Sequence, residues 1–182
     1  MMDFENKKAI SLLEHTVKLG VNLPQDVFLK RFENYLFFDN DICTSECLIG
    51  ALNYLIFNSP FEVASAYVYS SSDYNYLDSL NADDNWVSKI FLFSKSMNDD
   101  GDYGGLIILD ASNDWCLFQR TPVDDGVLGI NDDSLLKSEI VNDNFFNYEN
   151  INEWLSQNTL QDIELVKGSG KDYLESLILN YS

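Results

Sequence analysis

Imidazole and thiol side chains are scarce in this sequence. One histidine, His15, and three cysteines, Cys43, Cys47 and Cys116, stand among 182 residues. An odd, small number of cysteines excludes a disulfide framework and fits a reducing compartment. Proline is equally sparse, with Pro24, Pro60 and Pro122, so no Pro-rich linker divides the chain. No apolar run approaches the roughly 18 residues that a membrane helix needs. The first residues, Met1-Met2-Asp3-Phe4-Glu5-Asn6-Lys7-Lys8, lack the basic-then-apolar order of a signal peptide. Together these absences point to a cytoplasmic protein with no membrane partner.

Positive charge is also in short supply. Eleven Lys and Arg face 30 Asp and Glu, for a net charge of −19. Direct binding to nucleic acid or to an anionic membrane is disfavoured, because both need a basic face. A basic protein is the natural complement. Disorder is excluded by what is plentiful: 46% hydrophobic residues, with 12 Phe, 10 Tyr and 3 Trp. Such a chain can bury a core, and its length fits one domain over residues 1–182.

Hydrophobic periodicity predicts α+β: N-terminal helices, then an antiparallel-rich sheet, then C-terminal helices. A first helix is expected over Asp3–Leu19, ended by Gly20. A second is expected after Pro24, with Phe28, Phe32, Tyr35 and Leu36 as its apolar stripe. A third should run from Thr44 to Phe57. Strands are expected over Phe61–Ser70, Trp86–Ser94, Gly105–Asp110, Trp115–Arg120 and Val127–Ile130, with a turn at Asn113-Asp114. Asp132–Ile140 and Glu149–Gln157 read as helices, Asp162–Val166 as a strand, and Lys171–Leu179 as a terminal helix.

The acids concentrate in the middle. Residues 61–150 hold 17 acids against 4 bases, net −13, whereas residues 1–60 and 151–182 are each net −3. Within that section they cluster at expected turns: Asp83-Asp84, Asp99-Asp100 with Asp102, Asp124-Asp125, and Asp132-Asp133. Asp suits turns for local hydrogen-bonding reasons, so solvated loops are the plain reading. The sharper reading is that several loops converge on one edge of the sheet and steer a basic partner. Tyr74, Tyr76 and Trp86 flank the region as candidate anchors, although Trp86 also reads as core at the start of a strand.

Catalytic patterns do not assemble. His15 falls away from the apolar stripe of the first helix and reads as solvent-facing. Cys43 and Cys47, four apart, would share a helix face as half a zinc site, but buried structural thiols are the better reading. Asp100-Gly101-Asp102-Tyr103-Gly104-Gly105-Leu106-Ile107 has the beginning of a calcium loop. The closing glutamate is missing, since Ala111 takes that place. A tight turn is expected instead. No Walker loop, dinucleotide fingerprint or H-E-x-x-H is present. Neither a metal nor a cofactor is expected, and the chain reads as a binder rather than an enzyme.

Leu19-Gly20-Val21-Asn22-Leu23-Pro24-Gln25-Asp26 resembles the "LG-x-x-LP-x-D" opening of SUKH domains. Asp100-Gly101-Asp102-Tyr103 before an apolar strand is similar to that family's central strand entry. Phe145 to Leu155, ending Asn152-Glu153-Trp154-Leu155, looks like its late helix. The chain departs from the pattern at Phe38-Asp39-Asn40-Asp41, where the family has Asn-Gly. The third helix reads as an insertion. The resemblance implies an immunity protein against a polymorphic bacterial toxin, often a nuclease. The leading expectation is therefore an immunity or antitoxin protein that neutralises a basic toxin domain through an acidic surface. A DNA-mimic inhibitor of a DNA-binding protein and a carboxylate- or metal-dependent enzyme are the alternatives.

Overall fold

The computed structural model describes residues 4–58, 60, 65–122, 125–134 and 136–182. Its centre is a sheet of six strands: β1 (Asn34–Phe38), β2 (Ser65–Ser70), β3 (Tyr76–Asn81), β4 (Leu106–Asp110), β5 (Trp115–Gln119) and β6 (Gly126–Ile130). Their order is β1-β6-β5-β4-β2-β3, and every neighbouring pair is antiparallel. The helices are α1 (Phe4–Thr16), α2 (Glu46–Asn58), α3 (Trp86–Asp99), α4 (Glu139–Asn142), α5 (Tyr148–Leu155), α6 (Leu160–Ser169) and α7 (Lys171–Tyr181). The expected α+β class is what the structure shows.

Strands β4, β5 and β6 are buried at every position, so both faces of the sheet are covered. Side-chain alternation sorts them into two cores. Leu36, Leu128, Leu117, Ile108, Val68 and Leu80 face α2, α3 and α4. Phe37, Val127, Phe118, Ile107, Tyr67 and Tyr69 face α1, α5, α6 and α7. The layers therefore run helix, sheet, helix. A Cβ at Gly126 would collide with the Phe38 ring, which explains a residue without a side chain inside a central strand.

Four expected elements take another form. No second helix follows Pro24: residues 17–33 are coil, and the chain then enters β1. The coil's backbone is satisfied by turn and bridge bonds, such as the Lys18 N–H to the Val27 carbonyl at 2.8 Å, and by side chains, rather than by a helical ladder. Asp26 accepts from the Phe28 N–H at 3.1 Å, and Tyr181 accepts from the Val27 N–H at 3.0 Å. Trp86–Ser94 is not a strand but the first part of α3. Asn85 caps that helix, accepting from the Ser88 N–H at 3.0 Å, and Trp86, Ile90 and Met97 form its buried face. Asp162–Val166 belongs to α6. Thr159 and Asp162 bond reciprocally there as a capping box. Of the described residues in Asp132–Ile140, Glu139 and Ile140 alone are helical, within the short α4. Strand β3, at the sheet edge, was not expected. The expected strand over Phe61–Ser70 is present as β2 from Ser65; residues 61–64 lie outside the described residues.

Among the described residues, no helix is long and apolar enough to cross a membrane.

Candidate partner-binding surface

Antiparallel register fixes which loops meet. One rim of the sheet, here the proximal rim, is formed by Phe38, Ser70, Tyr76, Leu106, Gln119 and Gly126. The opposite, distal rim is formed by Asn34, Ser65, Asn81, Asp110, Trp115 and Ile130. The loops 39–45, 71–75 and 100–105, and the described residues 120–122 and 125, emerge at the proximal rim. The loops 82–85, 111–114 and 131–134 emerge at the distal rim.

The expected acidic clusters therefore separate. Asp99, Asp100, Asp102 and Asp125 lie at the proximal rim, joined by Asp39, Asp41 and Asp73, which the sequence reading did not single out. Asp83, Asp84, Asp132 and Asp133 lie at the distal rim. Asp124 lies outside the described residues. Asp39 and Asp41 form a pair and Asp73 stands alone in sequence, and the register brings them beside the others.

The proximal loops are held from beneath. Gln119, fully buried, reaches from β5 into the 39–43 loop. Its Nε2 donates to the Asn40 carbonyl at 3.0 Å, and its Oε1 accepts from the Ile42 N–H at 3.1 Å. Asp41 accepts from the Cys43 N–H at 2.8 Å, which shapes the turn into α2. Asp102 ties two loops together, accepting from the Ser70 and Ser72 hydroxyls at 2.6 Å each and from the Gly104 N–H at 2.8 Å. Burial opposes its ionisation, but these three bonds outweigh it and hold the carboxyl below its ordinary value. Ser71 and Thr121 join the set at 2.7 Å. The stretch with a calcium-loop beginning is thus a turn, with Asp100 ending α3 and Gly101 at a φ of 83°.

On this scaffold Asp99 and Asp100 are exposed, and among the described residues neither side chain has a hydrogen bond. Tyr103 is 73% exposed beside them. A shallow groove of about 450 Å³ runs between Asp73, Asp100, Asp102, Tyr103 and Thr121. The proximal loops contribute one basic side chain among the described residues, Arg120, and it is paired with Asp125 at 2.7 Å.

Of the three expected anchors, Trp86 is internal, and Tyr74 and Tyr76 are half-buried. Trp86 is 2% exposed, packs near Trp115 on the α2–α3 side of the sheet, and donates its Nε1 to the Asn81 carbonyl at 3.0 Å. Tyr74, with a φ of 62°, accepts from the Gly20 N–H at 2.7 Å. Tyr76 packs on Tyr67 and Tyr69, and burial pushes its phenol up to about 12. Tyr103 is the large aromatic that the structure exposes at the proximal rim, and the glycines on either side of it hid it as a turn residue.

The thiols and the histidine are dispersed. Cys43 precedes α2 and Cys47 lies within it, so they do not share a helix face as expected. Cys43 and Cys116 are buried, and Cys47 is exposed, contrary to the reading of Cys43 and Cys47 as buried thiols. Burial pushes the Cys43 thiol up to about 12. His15 is exposed, bonded to the Ser11 carbonyl at 2.6 Å. Among the described residues, no three His, Cys, Asp or Glu side chains gather as a metal site.

No protein-family model matches the chain, and neither a curated protein nor a solved structure matches it.

Proposed function

We propose that this protein is an immunity-type inhibitor. It binds a basic toxin domain through the proximal rim and covers that domain's active or substrate-binding surface. The observation that carries the reading is the proximal rim itself. Four loops, ordered by Gln119 and Asp102, present Asp39, Asp73, Asp99 and Asp100 to solvent, while the one basic residue of those loops is already paired. A concentrated field of one sign accelerates encounter with a complementary partner and rejects like-charged ones. Loops fixed before binding lose less conformational freedom when they dock. The resemblance of Leu19–Asp26 and of Asp100–Tyr103 to SUKH domains supports the same functional class.

The test is binding to the toxin domain encoded beside this gene, together with rescue of cells that express it. Binding at physiological salt, with association slowing as salt rises, is the expected result. A neighbour that is neither bound nor neutralised at physiological salt removes the proposal.

A further inference from the structure

A cavity of about 380 Å³ opens at the proximal rim, beneath the acidic loops and against α7. Three rings line one side of it. Phe37 and Phe146 have centroids 5.7 Å apart, and Phe146 and Trp154 have centroids 4.9 Å apart. A fourth ring, Tyr173, stands under the protein's own Arg120, whose guanidinium carbon lies 5.6 Å from the ring centroid. Asp125 neutralises that guanidinium at 2.7 Å. Asp39, exposed, also lines the cavity, so among the described residues two carboxylates and one cation line it. The Tyr173 hydroxyl is buried and has no partner among the described residues.

We infer that this cavity receives an arginine side chain of the basic partner, stacked on Trp154 and Phe146 and paired with Asp39. Aromatic faces attract cations through their quadrupoles, and a planar guanidinium both stacks and forks onto a carboxylate. The cavity already holds one guanidinium over one ring, which shows the chemistry it tolerates. The excess carboxylate leaves room for a second positive charge. Trp154 and Asp39 come from α5 and from the loop after β1, so the site exists only in the folded chain. The inference rests on the proposed binding of a basic protein and deepens it by naming the group that enters.

The test uses the ¹⁵N-labelled full chain and the indole N–H signals of its three tryptophans. Trp86 and Trp115 lie in the other core, so Trp154 is the indole at the cavity; it also borders a second groove with Phe146 and Glu149, and weakening of the shift in Asp39→Asn assigns it to the cavity. Nα-acetyl-arginine amide should shift the Trp154 signal saturably and leave the other two in place. Nα-acetyl-lysine amide should bind more weakly, and inorganic phosphate should have no effect. Asp39→Asn should weaken the arginine probe by about threefold, the size of one exposed cation–π or charge contact. Trp154→Leu, checked for folding by its melting curve, should weaken toxin binding. A shift with phosphate rather than arginine overturns the inference, as does equal movement of all three indoles or an unchanged affinity in Asp39→Asn. If the toxin domain binds wild type and both variants equally, the cavity is not the contact, although the immunity reading stands. If no basic domain binds while the arginine probe still titrates Trp154, it is the immunity reading that fails.

Discussion

Both rims of the sheet are rich in carboxylates, but they differ in what those carboxylates face. At the distal rim, Lys89 bridges Asp84 at 3.0 Å and Asp78 at 3.7 Å, and it donates to the Ser79 carbonyl at 2.6 Å. The Asn81 N–H and the Lys89 ammonium hold Asp84 below its ordinary value. Lys30 donates to the Asn113 carbonyl, close to Asp110, and Arg31 follows it in the chain. At the proximal rim, hydroxyls and an amide hold Asp102, an amide holds Asp41, Arg120 pairs with Asp125, and the outer carboxylates face water. Acid content alone therefore does not mark a binding surface. What distinguishes the two rims is the local supply of countercharge, and that supply is a matter of folding topology.

The largest expected effect breaks the comparison directly. Asp99→Lys with Asp100→Lys, and Asp83→Lys with Asp133→Lys, alter net charge equally and touch exposed side chains at opposite rims. The proximal pair should slow association with the basic partner by about tenfold or more, and the distal pair by no more than about twofold, measured by stopped-flow mixing at low salt. Equal slowing would mean that overall charge, not the rim, does the steering.

Next comes the tether. Gln119→Ala should destabilise by about 1–3 kcal/mol, since it leaves the Ile42 N–H and the Asn40 carbonyl without their partner. Amide exchange should quicken in residues 39–43 and stay unchanged at 111–114. Loss of protection at both rims would show that the glutamine supports the whole sheet rather than one loop.

A smaller effect has opposite signs at the two rims. Asp102 has its folded value depressed, so its stabilising contribution is present above the unfolded carboxylate value, near 3.9, and is lost as pH falls through the lower folded value. Asp110 is the reverse. Burial pushes it up, against hydrogen bonds that include the Asp114 N–H, so its contribution declines as pH rises from the unfolded value through the folded one. Melting curves should show Asp102→Asn least affected relative to wild type at acid pH and most destabilised near neutrality. Asp110→Asn should gain relative to wild type over that rise. The smallest effect is that of Lys89→Ala, about 1 kcal/mol or less, because the bridges it makes are partly exposed. It should nevertheless make the distal rim more attractive to a cationic probe.

Much of the layering was legible. The apolar runs at Gly105–Asp110 and Trp115–Arg120, with Asn113-Asp114 between them, predicted the central hairpin because strands buried on both faces read as continuous apolar segments. The first and third expected helices formed, but α1 stops at Thr16, short of the expected Gly20, and α2 runs to Asn58, one residue past the expected end. The failures have local causes. The run Ile90-Phe91-Leu92-Phe93 looks like a strand by composition, yet Asn85 as a cap and Trp86, Ile90 and Met97 on one face were helix signals that outweighed it. Thr159 and Asp162 were a capping box ahead of a stretch read by alternation alone. The coil after Pro24 could not be foreseen, because its backbone partners include Tyr181, at the far end of the chain. The grouping of carboxylates was least legible of all. Helix α3 carries the chain about 21 Å, at roughly 1.5 Å per residue. It thereby sends Asp83-Asp84 and Asp99-Asp100 to opposite rims despite their closeness in sequence.

Cys47 turns this arrangement into an instrument. The two other thiols are buried, and Cys43 is held in its protonated form well above neutral pH. A maleimide dye added to the native protein should therefore go to Cys47, on the first turn of α2, just past the loop that carries Asp39 and Asp41. A fluorophore placed there, without any engineered residue, would report the arrival of a partner at the proximal rim and remain silent to contacts at the distal one.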